Sequence, residues 1–232
     1  MRLLSTCAAA AALALMASAG AASAQSTLSY NVALTSDYVY RGFSQNNECA
    51  TLSAGADLTF DSGFYAGVWA SDVDFGDGTS AEIDTYGGYR TELAGFGVDV
   101  GVIGYGYFDE PSGADWSYME VKAAASRAFG PLTAGLAVYY SPDFTGPVGG
   151  DPSTYVEANA AYAVADGLTI SGAIGEQYLD ANTGDDYMTW NVGASYALPN
   201  SPLTADVRYY ETDLDNVPAA DDRVVLTLKA AF

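Results

Sequence analysis

Apolar and polar residues alternate along the chain in twelve segments, and the connections between the segments are alternately long and short. One segment, for example, places Phe96, Val98, Val100 and Val102 on the same face. Segments of about ten residues with this period are typical of transmembrane β-strands, and long outer loops that alternate with tight periplasmic turns are typical of outer-membrane barrels. We therefore expect an all-β fold: a transmembrane antiparallel up-and-down β-barrel, with twelve strands and both termini periplasmic. Ten or fourteen strands stay open as alternatives, because strand boundaries read from a sequence shift by about two to four residues.

The N-terminal residues have the pattern of a secretory signal. Arg2 precedes an apolar stretch at residues 7–19, and the Ala-Ser-Ala sequence at 22–24 forms an A-x-A cleavage site. This pattern predicts a signal peptide at residues 1–24 and an exported barrel at residues 25–232. A lipoprotein signal is disfavoured because Cys7 lies at the start of the apolar stretch and not after it. The mature sequence contains no run of about 18 apolar residues, the length that a transmembrane helix needs.

The last segment places Val224, Leu226, Leu228, Ala230 and the terminal Phe232 on one face. This arrangement resembles the C-terminal sorting signal that outer-membrane barrels present to the barrel-insertion machinery. The alternative is an ordinary amphipathic strand that happens to end in Phe. Together with the export signal, the pattern predicts a location in the outer membrane of a Gram-negative bacterium, in contact with lipid and lipopolysaccharide.

If the apolar residues of each segment face lipid, their polar neighbours face the lumen. Charged residues inside the segments support this orientation, because Arg or Lys on the lipid face near mid-depth costs roughly 2–4 kcal/mol. The lumen-lining candidates are Asp57, Glu82, Asp84, Tyr86, Arg90, Glu92, Asp99, Glu120, Lys122, Glu157, Asn159, Asp206, Arg208, Arg223 and Lys229. A wall with both signs of charge could line a water-filled pore, or it could pair across the lumen and close it. Twelve strands lie between the filled interiors of eight-stranded barrels and the open channels of sixteen strands, so both alternatives stay open.

The chain is strongly acidic, with 29 Asp and Glu against 8 Lys and Arg and a net charge of −21. Such a field repels phosphates and excludes a nucleic-acid partner. Much of the excess lies in the predicted outer loops, at Asp72, Asp74, Asp77, Asp109, Glu110, Asp115, Asp180, Asp185, Asp186, Asp213, Asp215, Asp221 and Asp222. An open pore with this mouth would concentrate cations and repel anions. The equally weighted alternative is a solvated surface that divalent ions bridge to lipopolysaccharide.

The sequence offers few candidate catalytic residues. The chain contains no His, on which the phospholipases, acyltransferases and proteases built on outer-membrane barrels rely. Glu82 and Asp84 could perform acid–base chemistry, but they are equally expected as ion-pair partners in the lumen. Asp72, Asp74 and Asp77 faintly resemble a calcium loop, yet their spacing departs from the EF-hand and Glu82 is not at the position of the bidentate ligand. We therefore expect no enzyme, no cofactor and no metal site.

Residues 36–45, Ser-Asp-Tyr-Val-Tyr-Arg-Gly-Phe-Ser-Gln, resemble the N-terminal signature of the TorF family of porins. The marked positions of this signature are Asp37, Tyr38, Tyr40, Arg41 and Gly42. From the residues alone, the favoured interpretation is a structural latch, in which Arg41 pairs with an inward acid while Tyr38 and Tyr40 lie at the interface belt. The alternative interpretation is a ligand site.

A second part of the chain extends the resemblance to the TorF family. Residues 63–75 and 82–89 resemble its next conserved block, and the likeness continues to about residue 108. The chain departs from the family pattern at residues 48–50, Glu-Cys-Ala, where members tend to carry a Pro, and this difference concerns the local loop shape. The resemblance implies an outer-membrane location and a porin role, but gives neither a substrate nor catalytic residues.

These features together predict a monomeric or weakly oligomeric outer-membrane porin-like channel for passive diffusion of small hydrophilic solutes, with a preference for cations. One alternative is a closed structural or adhesin-like barrel that acts through its acidic outer loops. A soluble periplasmic β-protein could share the 18 Tyr and 25 Gly residues, but it has no reason to keep the alternation of long and short connections.

Overall fold

The computed structural model describes residues 26–144, 150–181 and 184–232. The predicted signal peptide lies outside these residues. Twelve of the described strands form the barrel: β1 (Ser26–Thr35), β4 (Thr51–Phe60), β5 (Phe64–Asp72), β6 (Ala81–Leu93), β7 (Phe96–Phe108), β8 (Tyr118–Phe129), β9 (Leu132–Phe144), β10 (Asp151–Ala165), β11 (Leu168–Leu179), β12 (Tyr187–Ala197), β13 (Leu203–Thr212) and β14 (Arg223–Ala231). Two short strands, β2 (Val39–Tyr40) and β3 (Phe43–Ser44), pair only with each other. A 3-10 helix, Pro218–Ala220, precedes β14.

Each barrel strand pairs antiparallel with its neighbours along the chain, and β1 closes the ring by pairing with β14. The prediction of an up-and-down antiparallel barrel with twelve strands is thus confirmed. Since the strand number is even, β1 begins and β14 ends at the same end of the barrel. We call this the turn end, because its connections are short, and the opposite end the loop end. The periplasmic location of the turn end stays a prediction.

The side-chain alternation of the strands explains which face is outside. Aliphatic residues with outward parity, such as Leu136, Leu226 and Val121, are largely exposed around the barrel. Exposed aromatic side chains lie near both edges of this belt, at Phe64, Phe96, Phe129, Tyr162 and Tyr196 on the turn end and at Phe108, Tyr140, Tyr178 and Trp190 on the loop end. An apolar belt between two aromatic girdles is the surface that a bilayer covers. Within the described residues, no helix has both the length and the apolar character needed to cross a membrane.

The C-terminal residue contributes directly to closure. The Phe232 backbone N–H donates to the Tyr30 carbonyl at 2.9 Å, and the Tyr30 N–H donates to the Phe232 carbonyl at 3.0 Å. The Phe232 side chain itself is exposed on the outer surface. It is therefore accessible for the recognition by the insertion machinery that the sequence predicts.

Two connections differ in detail from the sequence prediction. The long connection after β1 contains the β2–β3 hairpin, which periodicity did not reveal because each of its strands has only two residues. The Pro- and Gly-rich sequence at residues 141–152 predicts a loop, but β9 continues to Phe144 and β10 begins at Asp151. Pro152 lies at a register shift between β9 and β10, where a residue without an N–H group is tolerated within a strand.

Candidate functional site

The β2–β3 hairpin, which we call the inner hairpin (residues 39–44), folds into the lumen. Its two central residues, Arg41 and Gly42, have φ angles of 47° and 90°. Positive φ at both central residues is what a type I′ turn requires, and Gly adopts it without steric cost. A Cβ at position 42 would also overlap the side chain of Thr212 on β13 and closely approach that of Thr189 on β12. The sequence Arg-Gly therefore forms a narrow tip that fits between side chains of the barrel wall.

Arg41 extends from this tip to the wall that faces β1 and β4 across the ring. Its Nη2 donates to Glu120 Oε2 on β8 at 2.8 Å, and its Nη1 donates to Gln177 Oε1 on β11 at 2.9 Å. Glu120 and Gln177 are 0% and 1% exposed. The guanidinium also lies 4.4 Å from the ring centroid of Tyr155 and 5.2 Å from that of Tyr139, within cation–π range. A planar group with several donors can make all these contacts at once, which a lysine could not.

Tyrosines of the inner hairpin and its approach extend the contact around the wall. The Tyr38 hydroxyl donates to Glu82 Oε1 on β6 at 3.0 Å, and the Tyr118 hydroxyl donates to the Tyr40 hydroxyl at 3.2 Å. Burial raises the pKa of the Tyr40 hydroxyl above its ordinary value, which keeps this group protonated. The sequence interpretation placed Tyr38 and Tyr40 at the interface belt, and this placement was wrong: both rings lie inside the barrel, because their hydroxyls have polar partners there.

The base of the inner hairpin is fastened to the loop end. Asp37 accepts a 3.0 Å bond from Arg223 on β14 and a 2.8 Å bond from Ser44 Oγ. The Asp74 N–H, in the loop after β5, donates to the Gln45 carbonyl at 2.9 Å. With the contacts at its tip, the inner hairpin spans the loop-end half of the lumen and contacts strands on every side of it.

The turn-end half of the lumen contains a cluster of ionic side chains instead. Asp99 accepts bonds from Lys122 Nζ at 2.7 Å, Arg90 Nε at 3.1 Å and the Tyr65 hydroxyl at 2.7 Å. The Arg90 guanidinium lies 4.0 Å from the Tyr65 ring centroid. One carboxylate on β7 thus organises two cations, from β6 and β8, and a phenol from β5.

Other predicted lumen residues form pairs with side chains on the same strand or on a nearby strand. Arg208 donates to Asp206 at 3.1 Å and to Asn191 at 2.7 Å, and the Tyr86 hydroxyl donates to Asp57 at 2.7 Å. Asn159 Nδ2 donates to Glu157 Oε1 at 3.1 Å. Glu92 and Lys229 have the same inward parity but are exposed near the turn end. Asp84 has a buried Oδ1 with no hydrogen-bond partner among the described residues.

The tyrosines that line the loop-end half were not singled out from the sequence. Tyr105, Tyr139 and Tyr155 have the inward parity of their strands, and Tyr105 donates to Glu120 at 3.1 Å. Parity was the available signal, but tyrosine is equally common at membrane interfaces, so its type did not distinguish the two locations. Gln177 also has the inward parity of its strand but is not among the lumen-lining candidates.

Two adjoining cavities lie along the wall. A cavity of about 340 Å³ is lined by Arg41, Gly42, Tyr155 and Asn191, and a cavity of about 330 Å³ is lined by Arg90, Asp99, Lys122 and Asn159. Both are lined by Tyr139 and Glu157, so the space beside the hairpin tip adjoins the ionic cluster of the turn-end half.

The acidic residues considered for calcium are turned to separate partners. Asp74 Oδ1 accepts the Gly76 N–H at 2.8 Å, Asp77 Oδ1 accepts the Thr79 N–H at 2.9 Å, and Glu82 lies in the lumen. In the described part of the chain, no group of three or more His, Cys, Asp or Glu side chains is arranged to hold a metal ion.

Comparison with known proteins identifies a family and a fold. The sequence model of a family described as "Bacterial protein of unknown function (Gcw_chp)" matches residues 18–232. No curated protein sequence matches the chain. The TorF assignment stays a prediction, because the matching family carries the other name.

Among solved structures, a KdgM porin is 11% identical to the chain, with a TM-score of 0.60 over 89% of this chain and 99% of the porin. A KdgM porin in complex with disordered oligogalacturonate is 12% identical, with a TM-score of 0.58 over 89% of this chain and 99% of the porin. The COG4313 outer membrane channel from Pseudomonas putida F1 is 12% identical, with a TM-score of 0.55 over 91% of this chain and 96% of the channel. At these identities the likeness shows a shared barrel fold.

Proposed function

Since the chain belongs to the Gcw_chp family, whose function is not known, we propose from its lumen that it is an outer-membrane porin-like channel for passive diffusion of small hydrophilic solutes. The observation that carries this proposal is a pair of adjoining cavities, one beside the tip of the inner hairpin and one at the ionic cluster, which polar and ionic side chains line. A barrel that served only as a scaffold would gain stability from an interior filled by side chains. The porin-like fold of the similar structures supports the same function.

We further propose that the channel prefers cations. Most basic side chains of the lumen already have a carboxylate partner, as in the pairs Arg41–Glu120, Lys122–Asp99 and Arg208–Asp206. The net charge of −21 and the acidic loops at the loop end leave an unbalanced negative field at the mouth. This field raises the local concentration of cations. An anionic saccharide of the oligogalacturonate type would be repelled, so the proposed solutes differ in charge from the ligand in the KdgM complex.

The apolar belt and the exposed terminal Phe232 support the proposed surroundings of the protein. Outer-membrane lipid and lipopolysaccharide would cover the belt, and the barrel-insertion machinery would act on β14 during biogenesis. A chain without His, in which lumen acids such as Glu120 and Asp57 pair with Arg41 and Tyr86, supports transport over catalysis.

A specific observation favours a second function, a closed barrel that acts through its acidic outer loops. The inner hairpin spans the loop-end half of the lumen, and Arg41 fixes it by contacts that are almost fully buried. If the hairpin never leaves, the loop-end half transmits little or no current.

Single-channel recording distinguishes the two functions. The mature protein is refolded, its folding is checked by heat-modifiable gel mobility, and it is inserted into a planar bilayer under a salt gradient. Stepwise currents with a cation-selective reversal potential are expected. Folded and inserted protein that carries no current would overturn the channel in favour of the closed barrel, and an anion-selective potential would overturn the cation preference alone.

A further inference from the structure

A third cavity, of about 300 Å³, lies on the loop-end side of the inner hairpin. We call it the aromatic cup, and we infer that it binds an organic cation with a methylated or quaternary ammonium group. The inference deepens the proposed function, on which it rests for its biological setting, by assigning an entry site to the channel. The volume lies near the lower end of the range for small-molecule pockets, roughly 300–1,000 Å³.

The first wall of the aromatic cup is built by Phe75, Tyr107 and Trp116. The Phe75 centroid lies 5.5 Å from that of Tyr107 and 6.4 Å from that of Trp116. Two carboxylates hold Trp116: Asp77 Oδ2 accepts the indole Nε1–H at 3.0 Å, and Glu110 Oε1 accepts the backbone N–H at 2.6 Å. This wall therefore combines aromatic faces with negative charge behind one of the rings.

Two further walls and the base are also aromatic. Tyr118 and Phe144 meet edge to face with centroids 4.9 Å apart, and Phe43 and Tyr187 do so at 5.2 Å. Tyr40 lines the base, where the inner hairpin separates the aromatic cup from the deeper lumen. Rings from the hairpin, two loops and four barrel strands thus converge on one space.

The chemistry of this space selects a cation over an anion. The faces of aromatic rings carry negative charge density, and a ligand cation within about 6 Å of several rings is attracted by each of them. The described residues that line the aromatic cup include no Lys or Arg. Arg41 lies near the base, at 4.7 Å from the Tyr40 centroid, but its charge is paired with Glu120.

The hydrogen bonds favour a methylated ammonium over a neutral sugar. A sugar needs donors and acceptors for each buried hydroxyl, and unmatched hydroxyls are costly. The hydroxyls of Tyr118 and Tyr40 already bond to each other, and the Trp116 Nε1–H is bonded to Asp77. Gln177 Nε2, which also lines the aromatic cup, has no hydrogen-bond partner among the described residues, and one donor does not match the several hydroxyls of a sugar. A quaternary ammonium makes no conventional hydrogen bonds, so it is compatible with a cup in which the hydroxyls of Tyr118 and Tyr40 and the Trp116 indole are occupied.

Calorimetric titration of the refolded mature protein with choline tests the site. A polyoxyethylene detergent is used, because it carries neither an ammonium nor a sugar headgroup. The comparison ligand is 3,3-dimethyl-1-butanol, a neutral molecule with the shape of choline, and glucose is the third probe. We expect choline to bind at least about tenfold more tightly than the neutral analogue, since several desolvated rings would contribute.

Substitutions to leucine remove the aromatic face and keep an apolar side chain. Phe75→Leu and Phe144→Leu are each expected to weaken choline binding about threefold to thirtyfold. The matched control is Phe64→Leu, which changes a ring that is 59% exposed on the outer surface at the turn end. This control should leave choline affinity unchanged.

Several results would overturn the inference: equal affinity for choline and the neutral analogue, binding of glucose but not choline, or no binding by protein shown to be folded. Conductance measured on the same preparation separates this inference from the proposed function. A protein that conducts without binding choline keeps the channel and loses the cation site. One that binds choline without conducting keeps the cation site and loses the channel.

Discussion

The two halves of the lumen contain the same chemical group in different surroundings. In the loop-end half, Arg41 pairs with Glu120 at 2.8 Å, and the two side chains are 6% and 1% exposed. In the turn-end half, Arg90 pairs with Asp99 at 3.1 Å, and the side chains are 56% and 19% exposed. Each guanidinium also lies over a tyrosine ring, Tyr155 in the first case and Tyr65 in the second.

This difference in exposure indicates a division of roles. A buried ion pair must stay paired, because separating it leaves a charge without water or partner. A hydrated pair is screened and can exchange its partner for a mobile ion. We therefore interpret the loop-end half as the element that determines how far the lumen is open, and the turn-end half as a wall that adjusts which ions pass.

The largest expected effect follows from removing Arg41. Arg41→Ala leaves Glu120 buried without a charged partner, a change that costs about 3–5 kcal/mol. If this cost destabilises only the docked state of the inner hairpin, the equilibrium shifts towards the undocked state. The shift exceeds about a hundredfold, because roughly 1.4 kcal/mol corresponds to a factor of ten. Single-channel conductance should rise clearly.

Arg90→Ala is the matched control for Arg41→Ala. It removes an arginine from an exposed pair, whose contribution is at most about 1 kcal/mol. Conductance should change little, and urea unfolding should show a small loss of stability. Equal conductance of the Arg41 variant and the unsubstituted protein would show that the inner hairpin is not the constriction.

A smaller effect is expected from two glycines that lie beneath tyrosine rings. An added Cβ at Gly175 would overlap the ring of Tyr155, and one at Gly67 would overlap the ring of Tyr86. Gly175→Ala and Gly67→Ala should each cost about 1–3 kcal/mol of unfolding free energy through overpacking. Only Gly175→Ala displaces a ring that contacts Arg41, so only this variant should also raise the conductance. If both variants raised it equally, the hairpin would not depend specifically on the Arg41 cluster.

Strand parity made much of the barrel predictable from the sequence. The alternation of Val98, Val100 and Val102 with Asp99 determines which side chain faces lipid, because the other assignment would place a carboxylate in the bilayer. The twelve alternating segments then predicted twelve strands, and the alternation of long and short connections predicted that the number is even. The same reasoning predicted inward positions for Arg90, Asp99 and Lys122 of the ionic cluster, but did not single out Tyr65.

The position of the inner hairpin could not be derived in this way. Arg41 is separated from Glu120 by 79 residues and from Gln177 by 136, and no local pattern encodes which acid a loop arginine reaches. The lumen offered many carboxylates with the same parity. The choice depends on how a type I′ tip fits among the tyrosines and threonines of the wall, which is a property of the closed barrel.

Ion selectivity is the third test of the comparison. Asp99→Asn leaves Lys122 and Arg90 without their shared carboxylate and should shift the reversal potential towards anions, with little change in conductance. Asp166→Asn, a substitution of the same charge in the exposed turn before β11, is the control and should shift it less. Both shifts should shrink near 1 M salt, where the Debye length is about 3 Å. A larger shift for Asp166 would contradict the role of the turn-end cluster.

The smallest expected effect is the pH dependence of the contact between Asp77 and Trp116 in the loops at the loop end. The backbone N–H of Thr79, together with the Trp116 indole, lowers the pKa of the Asp77 carboxyl below its ordinary value. Because the pKa is lowered, the ionised carboxylate stabilises this loop contact fully at pH values above the ordinary pKa of about 3.9. The contribution is lost as the pH falls through the lower pKa of the folded state. Trp116 fluorescence, recorded with Trp69→Phe and Trp190→Phe as background, should stay constant from neutral pH until strongly acidic conditions.

Two variants distinguish this contact from the inner hairpin. Asp77→Asn should abolish the acid transition of Trp116 fluorescence, because the titrating group is gone. Arg41→Ala should leave the transition in place, since Asp77 contacts Trp116 and Thr79 and not the hairpin tip. If Arg41→Ala also removed the transition, the mouth and the inner hairpin would form one cooperative unit. The lumen would then consist of two parts: the ionic cluster of the turn-end half, and a single unit formed by the inner hairpin and the loops at the loop end.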